Sequence, residues 1–220
     1  MILICVLLYL GQLSSQLLSG SDILALYGAK IHVLIIEGQI WRLITPMFLH
    51  GSLTHIAFNM YALYSIGNEL EKHYGHLRYA MLLFIGGLAG NVFSFLFTVA
   101  PSYGASTAVF GLVAAEGMFI FQNRRLFRNP LGMIMNTLTI VAINLFIGLS
   151  SSGIDNWGHL GGLLGGFMFA AFGGTIMQPE TRLDGYHLVN RIPESRAWIV
   201  ALLIAVCFFF LAFAKIFGYL

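Results

Sequence analysis

The feature that most constrains this chain is a succession of apolar runs, each about long enough to cross a bilayer and nearly free of charge. A hydrocarbon core needs roughly 20 mostly apolar residues per helix. Seven runs answer, at 1–18, 53–71, 79–99, 105–121, 131–149, 157–175 and 197–217. Backbone N–H and C=O groups find no water in that core, so each run is expected to be a helix that pairs its own groups. The expected fold class is therefore all-α, a polytopic membrane helical bundle with seven transmembrane helices. Only 9% of the residues are charged, against about 25% in a soluble domain. The first run is the weakest, because Gln12, Ser14, Ser15 and Gln16 crowd its second half. It is read as a genuine span, since its start carries no positive charge and a cleaved signal peptide opens with a basic stretch.

Composition also excludes function classes. A net charge of +2 without a basic stripe gives a nucleic-acid partner no electrostatic footing. Cys5 and Cys207 both sit inside apolar runs near opposite ends of the chain, so neither a disulfide framework nor a thiolate metal site is expected. His50 and His55 have no carboxylate or cysteine nearby to complete a zinc set, and no H-E-x-x-H stands on any run. The site is expected to need no metal and no cofactor. No hydrophilic stretch is long enough to form a second domain.

Lys and Arg concentrate in cytoplasmic loops. Alternate connections carry Lys72, Arg78, Arg124, Arg125, Arg128, Arg182, Arg191 and Arg196, eight in all, against three on the other side, Lys30, Arg42 and Lys215. That bias places the N-terminus in the cytoplasm and the start of the fourth and sixth runs in the outer leaflet. Ser106 opens the fourth run, and His159 stands near the start of the sixth. The two therefore share a leaflet, as they must if histidine is to take the proton of serine and make it nucleophilic.

Close approach of two membrane helices requires small residues. The fourth run has Ala108, Gly111, Ala114 and Ala115, and the sixth has Gly158, Gly161, Gly162, Gly165 and Gly166. The same glycines would also suit a dimer interface. His55 and Asn59, at i and i+4, lie on one face of the second run. Both side chains donate hydrogen bonds, as the oxyanion hole of an acyl-transfer serine requires.

Together these residues resemble the rhomboid intramembrane serine proteases: Trp41-Arg42 in the first loop, His55-xxx-Asn59, Gly104-x-Ser106, and His159-xx-Gly162-xxx-Gly166. The resemblance runs over about 24–175, in the family's order. It implies a six-helix catalytic core over 1–176, followed by a cytoplasmic connector and an appended seventh transmembrane helix over 177–220. It implies Ser106 as nucleophile and His159 as general base in a dyad, with His55, Asn59 and the Ser106 amide holding the oxyanion. Gly104 would permit the turn before the serine, and Phe110 would pack on the His159 ring. Two positions depart from the commonest family pattern. Thr107 replaces a glycine and is expected to narrow the site or restrict the backbone, and Phe110 replaces a frequent tyrosine.

The remaining polar residues have plainer readings. Asp155, four residues before His159, could orient the imidazole as the third member of a triad, but is expected to cap the sixth helix. Glu116 is about 15 Å beyond Ser106 along the helix axis, too far to share its chemistry, and is expected to hydrogen-bond Asn144 or Thr137. Trp41 and Arg42 fit a headgroup-level anchor. Glu69 and Glu71, near Lys72, read as end-of-helix charges.

The expected function is hydrolysis of peptide bonds in or near transmembrane segments of other proteins, in contact with membrane lipid. It would proceed in a polar cavity lined by His50, His55, Asn59, Ser106 and His159. A prokaryotic cell membrane with the site facing outward is the expected location. Cleavage should fall as His159 protonates, near the ordinary imidazole value of about 6.5, and a profile flat from pH 5 to 8 counts against a histidine base. The rivals are a non-catalytic rhomboid-like protein that binds membrane clients, and a transporter relaying protons through Glu116, His55 and His159. No inverted repeat of broken spans supports the transporter.

Overall fold

Helices form where the apolar runs lie. In the computed structural model, which describes residues 1–151, 153–182 and 185–220, α1 spans Ile2–Ser19. Its serines bond back within the helix: Ser14 Oγ donates to the Leu10 carbonyl at 2.8 Å and Ser19 Oγ to that of Ser15 at 2.7 Å. Those bonds let hydroxyls sit at membrane depth without orphaned donors. Two short helices follow, α2 (Ile23–Gly28) and α3 (His32–Ile36). Two 3-10 turns, Ile40–Leu43 and Thr45–Phe48, complete the first loop.

The element α4 runs over Leu53–Phe97. Forty-five residues of straight helix would span about 68 Å, more than twice a hydrocarbon core of about 30 Å. The chain solves this at Gly75, whose φ of 75° breaks the helix into arms 53–74 and 76–97. Then come α5 (Ser106–Gln122), α6 (Pro130–Leu149), α7 (Asn156–Gly173) and α8 (Glu194–Ile216). The starts of α6 and α7 are capped by Asn129, accepting from the Gly132 amide, and by Asp155, accepting from the Gly158 amide.

The expectation of an all-α chain needs one correction. Between α7 and α8, β1 (Met177–Arg182) and β2 (Gly185–Asn190) form an antiparallel hairpin, with Met177 opposite Asn190 and Arg182 opposite Gly185. This connector is too polar to be drawn into the bundle. Its β-prone Thr181, Tyr186 and Val189 let it pair its own backbone.

The second arm of α4 is the centre of the molecule, packed against α5, α7 and α8. Leu82, Ile85, Leu88, Ala89, Val92 and Phe95 on it join Leu112 and Phe169 in the core. By length and composition α1, α4, α6 and α8 can cross a membrane, so the chain is a multi-pass membrane protein. Most of α1 and α6 is exposed, whereas most of the α4 window is buried. The 17-residue α5 and glycine-rich α7, which carry Ser106 and His159, are not among these four.

Both of those helices are gripped inside the chain. A Cβ on Gly162 would collide with the Thr107 carbonyl, and one on Gly166 with the Gly111 carbonyl. On the other flank of α7, a Cβ on Gly161 would come within 2.5 Å of the Ala89 carbonyl of α4. The small residues of α7 are thus spent on internal contacts, rather than on an interface with a second chain.

Three readings of polar residues change. Arg42 is not a headgroup anchor: it is 2% exposed, and its guanidinium donates to the carbonyls of Ala29 and Leu26, each at 2.7 Å, and to Gln39 Oε1 at 2.8 Å. It folds the first loop around itself, while Trp41 stays exposed and donates to the Tyr27 carbonyl. Neither Thr137 nor Asn144 bonds Glu116 among the described residues; each donates to a carbonyl of its own helix, Met133 and Ile140. Gln12 spans α1 and the loop before α4: it donates to the His50 carbonyl at 3.1 Å and accepts from the His50 amide at 3.0 Å.

Candidate active site

Ser106 is the first residue of α5, and no side chain caps that helix, so its first-turn amides are left unclaimed. The approach to it is set by Gly104. Its amide donates to the Pro46 carbonyl at 2.9 Å, and its φ of 150° belongs to a region that L side chains avoid. A Cβ there would also lie 2.6 Å from His55 Nε2. Glycine is therefore required twice at this position, once for the backbone and once for the imidazole.

His159 reaches Ser106 from α7. Its Nε2 lies 3.0 Å from Ser106 Oγ, a distance at which a neutral imidazole accepts the hydroxyl proton. Phe110, four residues into α5, stacks on the His159 ring with centroids 4.1 Å apart and planes 13° from parallel. His159 is 7% exposed, so the ring is clamped on one face and bonded at one edge. Its Nδ1 has no hydrogen-bond partner among the described residues. Asp155, the possible third member of a triad, is occupied elsewhere: Oδ1 accepts from the Gly158 amide at 2.9 Å and Oδ2 from the Ser94 hydroxyl.

The first arm of α4 brings two donors to the same place. His55 Nδ1 accepts from the Gly51 amide at 3.4 Å, which puts the imidazole proton on Nε2, the atom beside Gly104. Asn59 Nδ2 donates one hydrogen to the His55 carbonyl at 2.9 Å. A carboxamide nitrogen has two, so one remains for a ligand. His55, Asn59, Gly104, Ser106, Phe110 and His159 all line one cavity of about 840 Å³.

His50 does not line that cavity. It is 1% exposed, packs edge-on to His55 with ring centroids 5.1 Å apart, and accepts from the Ala105 amide at 3.4 Å. Burial, with His55 beside it, lowers its pKa to about 4, so it is a neutral strut between the first loop and the turn that carries the serine. Thr107 does line the cavity. Its methyl and Cβ fill the space left by Gly90 and Gly158, where added Cβ atoms would lie 2.6 Å and 3.2 Å from its methyl carbon. The branched residue is accommodated by glycines on two neighbouring helices.

Asn91, Ser102, Tyr103 and Asn144 line the cavity as well and were not anticipated. Ser102 and Tyr103 lie in a loop without periodicity, and the polar residues of α4 and α6 gave no sign of which side they face. No cluster of three or more His, Cys, Asp or Glu suited to a metal ion occurs among the described residues.

A helical multi-pass membrane bundle that holds a serine and a histidine in hydrogen-bond contact beside one shared cavity defines a small class of proteins. The rhomboid-domain model matches residues 37–175, and the chain belongs to the rhomboid family. It is 38% identical over 174 residues to rhomboid protease GluP of Bacillus subtilis, covering 79% of this chain and 33% of that protein. It is 36% identical over 155 residues to rhomboid-like protease 1 of Toxoplasma gondii, covering 69% of this chain and 53% of that one. It is 35% identical over 164 residues to the mitochondrial RHOMBOID-like protein 6 of Arabidopsis thaliana, covering 74% and 52%. The chain thus spans between a third and just over half the length of these relatives.

Proposed function

We propose that the protein is an intramembrane serine protease that cleaves peptide bonds in or near transmembrane segments of other membrane proteins. The observation that carries the reading is the 3.0 Å contact between Ser106 Oγ and His159 Nε2, made in a cavity that also receives His55 and Asn59. Ser106 attacks the scissile carbonyl as His159 takes its proton. The oxyanion is met by His55 Nε2–H, the free Asn59 hydrogen and the Ser106 amide. His159 then returns the proton to the leaving amine, and a water frees the acyl group. Phe110 keeps the imidazole in plane throughout. Substrate reaches the serine through the cavity that Ser106, His159, His55 and Asn59 line together.

In the same reading the chain crosses the membrane seven times, each arm of α4 counting once. The arginine-rich connections and the hairpin are cytoplasmic, and the cavity faces the opposite side. Lys30 and Arg42, two of the three cations counted on that side, are buried, which sharpens the asymmetry at the surface.

The test is cleavage of a single-span substrate in liposomes by the intact chain, by Ser106→Ala and by His159→Ala. Both variants are expected to lose cleavage by at least about 10³-fold while retaining the melting temperature of the intact chain. An intact chain that binds the segment without cutting it refutes the protease and leaves the non-catalytic client binder.

A further inference from the structure

Lys30 is fully buried in the first loop, and its ammonium is aimed at the C-terminal end of α4. Nζ donates to the carbonyls of Ala100 at 2.6 Å and Thr98 at 2.9 Å, and reaches that of Ser94 at 3.5 Å. Thr98 and Ala100 lie at the end of the helix and just past it, where carbonyls lack helical partners and the dipole favours a cation, whereas the Ser94 carbonyl also accepts from the Thr98 amide at 3.0 Å. The Lys30 backbone pairs with Ser102 in both directions, at 2.9 and 3.1 Å, which ties the same residue to the loop leading into Ser106. Ser94 is the junction. Its hydroxyl donates to Asp155 Oδ2 and lies 3.1 Å from Ser102 Oγ. Asp155 caps α7 through the Gly158 amide, and its carbonyl accepts from the His159 amide at 3.1 Å.

The loop that presents the nucleophile and the cap that starts the base's helix are therefore fastened to one point, behind the reacting atoms. We propose that Lys30 is a positioning residue for the Ser106–His159 pair, holding Ser94, and through it Asp155 and Ser102, in the arrangement that sets the distance between the hydroxyl and the imidazole. The role rests on the protease reading above, but its structural half can be measured apart from it.

Burial lowers the Lys30 pKa to about 8, with the Asp155 carboxylate opposing the shift. The other titratable group facing it is His32, which Lys30 disfavours as a cation. A pH rise through 8 removes the Lys30 charge, and kcat should fall. Between about 8 and the unfolded value of about 10.4, the unfolded chain binds the proton that the folded chain has shed. Folding stability from this group must then rise with pH. Activity and stability move in opposite directions, which a merely structural lysine would not produce.

The experiment compares the intact chain with Lys30→Met, Lys30→Arg and Ser94→Ala in liposomes, with kcat and KM from pH 6.5 to 9.5, the melting temperature, and the 15N-histidine NMR signals of His159. The expected result is a fall in kcat of about tenfold or more in Lys30→Met and in Ser94→Ala with KM nearly unchanged. The alkaline limb near pH 8 should vanish in Lys30→Met, move upward in Lys30→Arg, and be accompanied by a shifted His159 signal. Should Lys30→Met fail to fold, Ser94→Ala carries the test, since it keeps the carbonyl that Lys30 reaches and removes only the hydroxyl that joins this end of α4 to Asp155 and Ser102. Ser94→Ala with intact kcat and an unmoved His159 signal overturns the proposal, as does a folded Lys30→Met with the alkaline limb of the intact chain. If the intact chain cuts nothing while the His159 signal still moves in the variants, the protease reading fails and the positioning role stands.

Discussion

Phe110 and Thr107 show how much a single side chain in α5 can carry. Phe110 touches no reacting atom, yet its ring covers one face of His159 at 4.1 Å. Stacked aromatic pairs are worth about 0.5–1.5 kcal/mol beyond their buried area, and about 1.4 kcal/mol is tenfold in rate. Phe110→Leu is expected to lower kcat about three- to tenfold with KM little changed, and Phe110→Tyr to keep most of the rate. Equal kcat for Leu and Phe would show that the clamp has no part in holding the imidazole. Thr107 teaches the opposite lesson. From sequence a β-branched residue beside Ser106 is expected to narrow the site, and it does line the cavity, but its methyl is received by Gly90 and Gly158, residues far from it in sequence whose compensation only the packing discloses.

At the scale of elements, the site depends on how closely α7 lies against α5 and α4. Gly162 and Gly166 face backbone carbonyls of α5, which cannot rotate out of the way as a side chain can. Overpacking of this kind typically costs about 1–3 kcal/mol. Gly166→Ala is expected to lower the melting temperature by several degrees and to slow cleavage by moving His159 away from Ser106. Gly117→Ala on α5 is the control, because its Cβ would meet only the Thr137 methyl at an ordinary 3.5 Å. With alanine favoured over glycine in a helix by about 1 kcal/mol, that variant should melt no lower than the parent. Equal losses in both would mean that helix propensity, rather than backbone contact, governs these positions.

For the whole molecule, the charge asymmetry predicts a direction in the membrane. With Cys5 and Cys207 replaced, a cysteine at Leu126, between Arg125 and Phe127, should be labelled by a membrane-impermeant thiol reagent only from the arginine-rich side. A cysteine at Ser151, in the loop before α7, should be labelled only from the other. Labelling of both from one side would invalidate the seven-span arrangement. The 45-residue α4 is the element on which this parity turns, since its two arms reverse direction only if the chain truly folds back at Gly75.

The amino-acid sequence by itself determined the membrane environment, the approximate helix positions and the identity of the serine and histidine that meet. These are local or compositional properties: hydropathy sets where helices can persist without water, and a serine, a histidine and small residues at helix starts narrow what can approach. It did not reveal that Arg42 and Lys30 are interior cations, that His50 braces the serine's turn from behind, or that Thr107 is welcomed by two glycines. Nor did it reveal that the connector after α7 pairs as a hairpin. Each of these was decided by tertiary structure. Whether a charge faces a headgroup or three carbonyls, and whether a methyl group obstructs or fills, depends on which distant backbone is brought within a few ångströms, and no single stretch of chain carries that information.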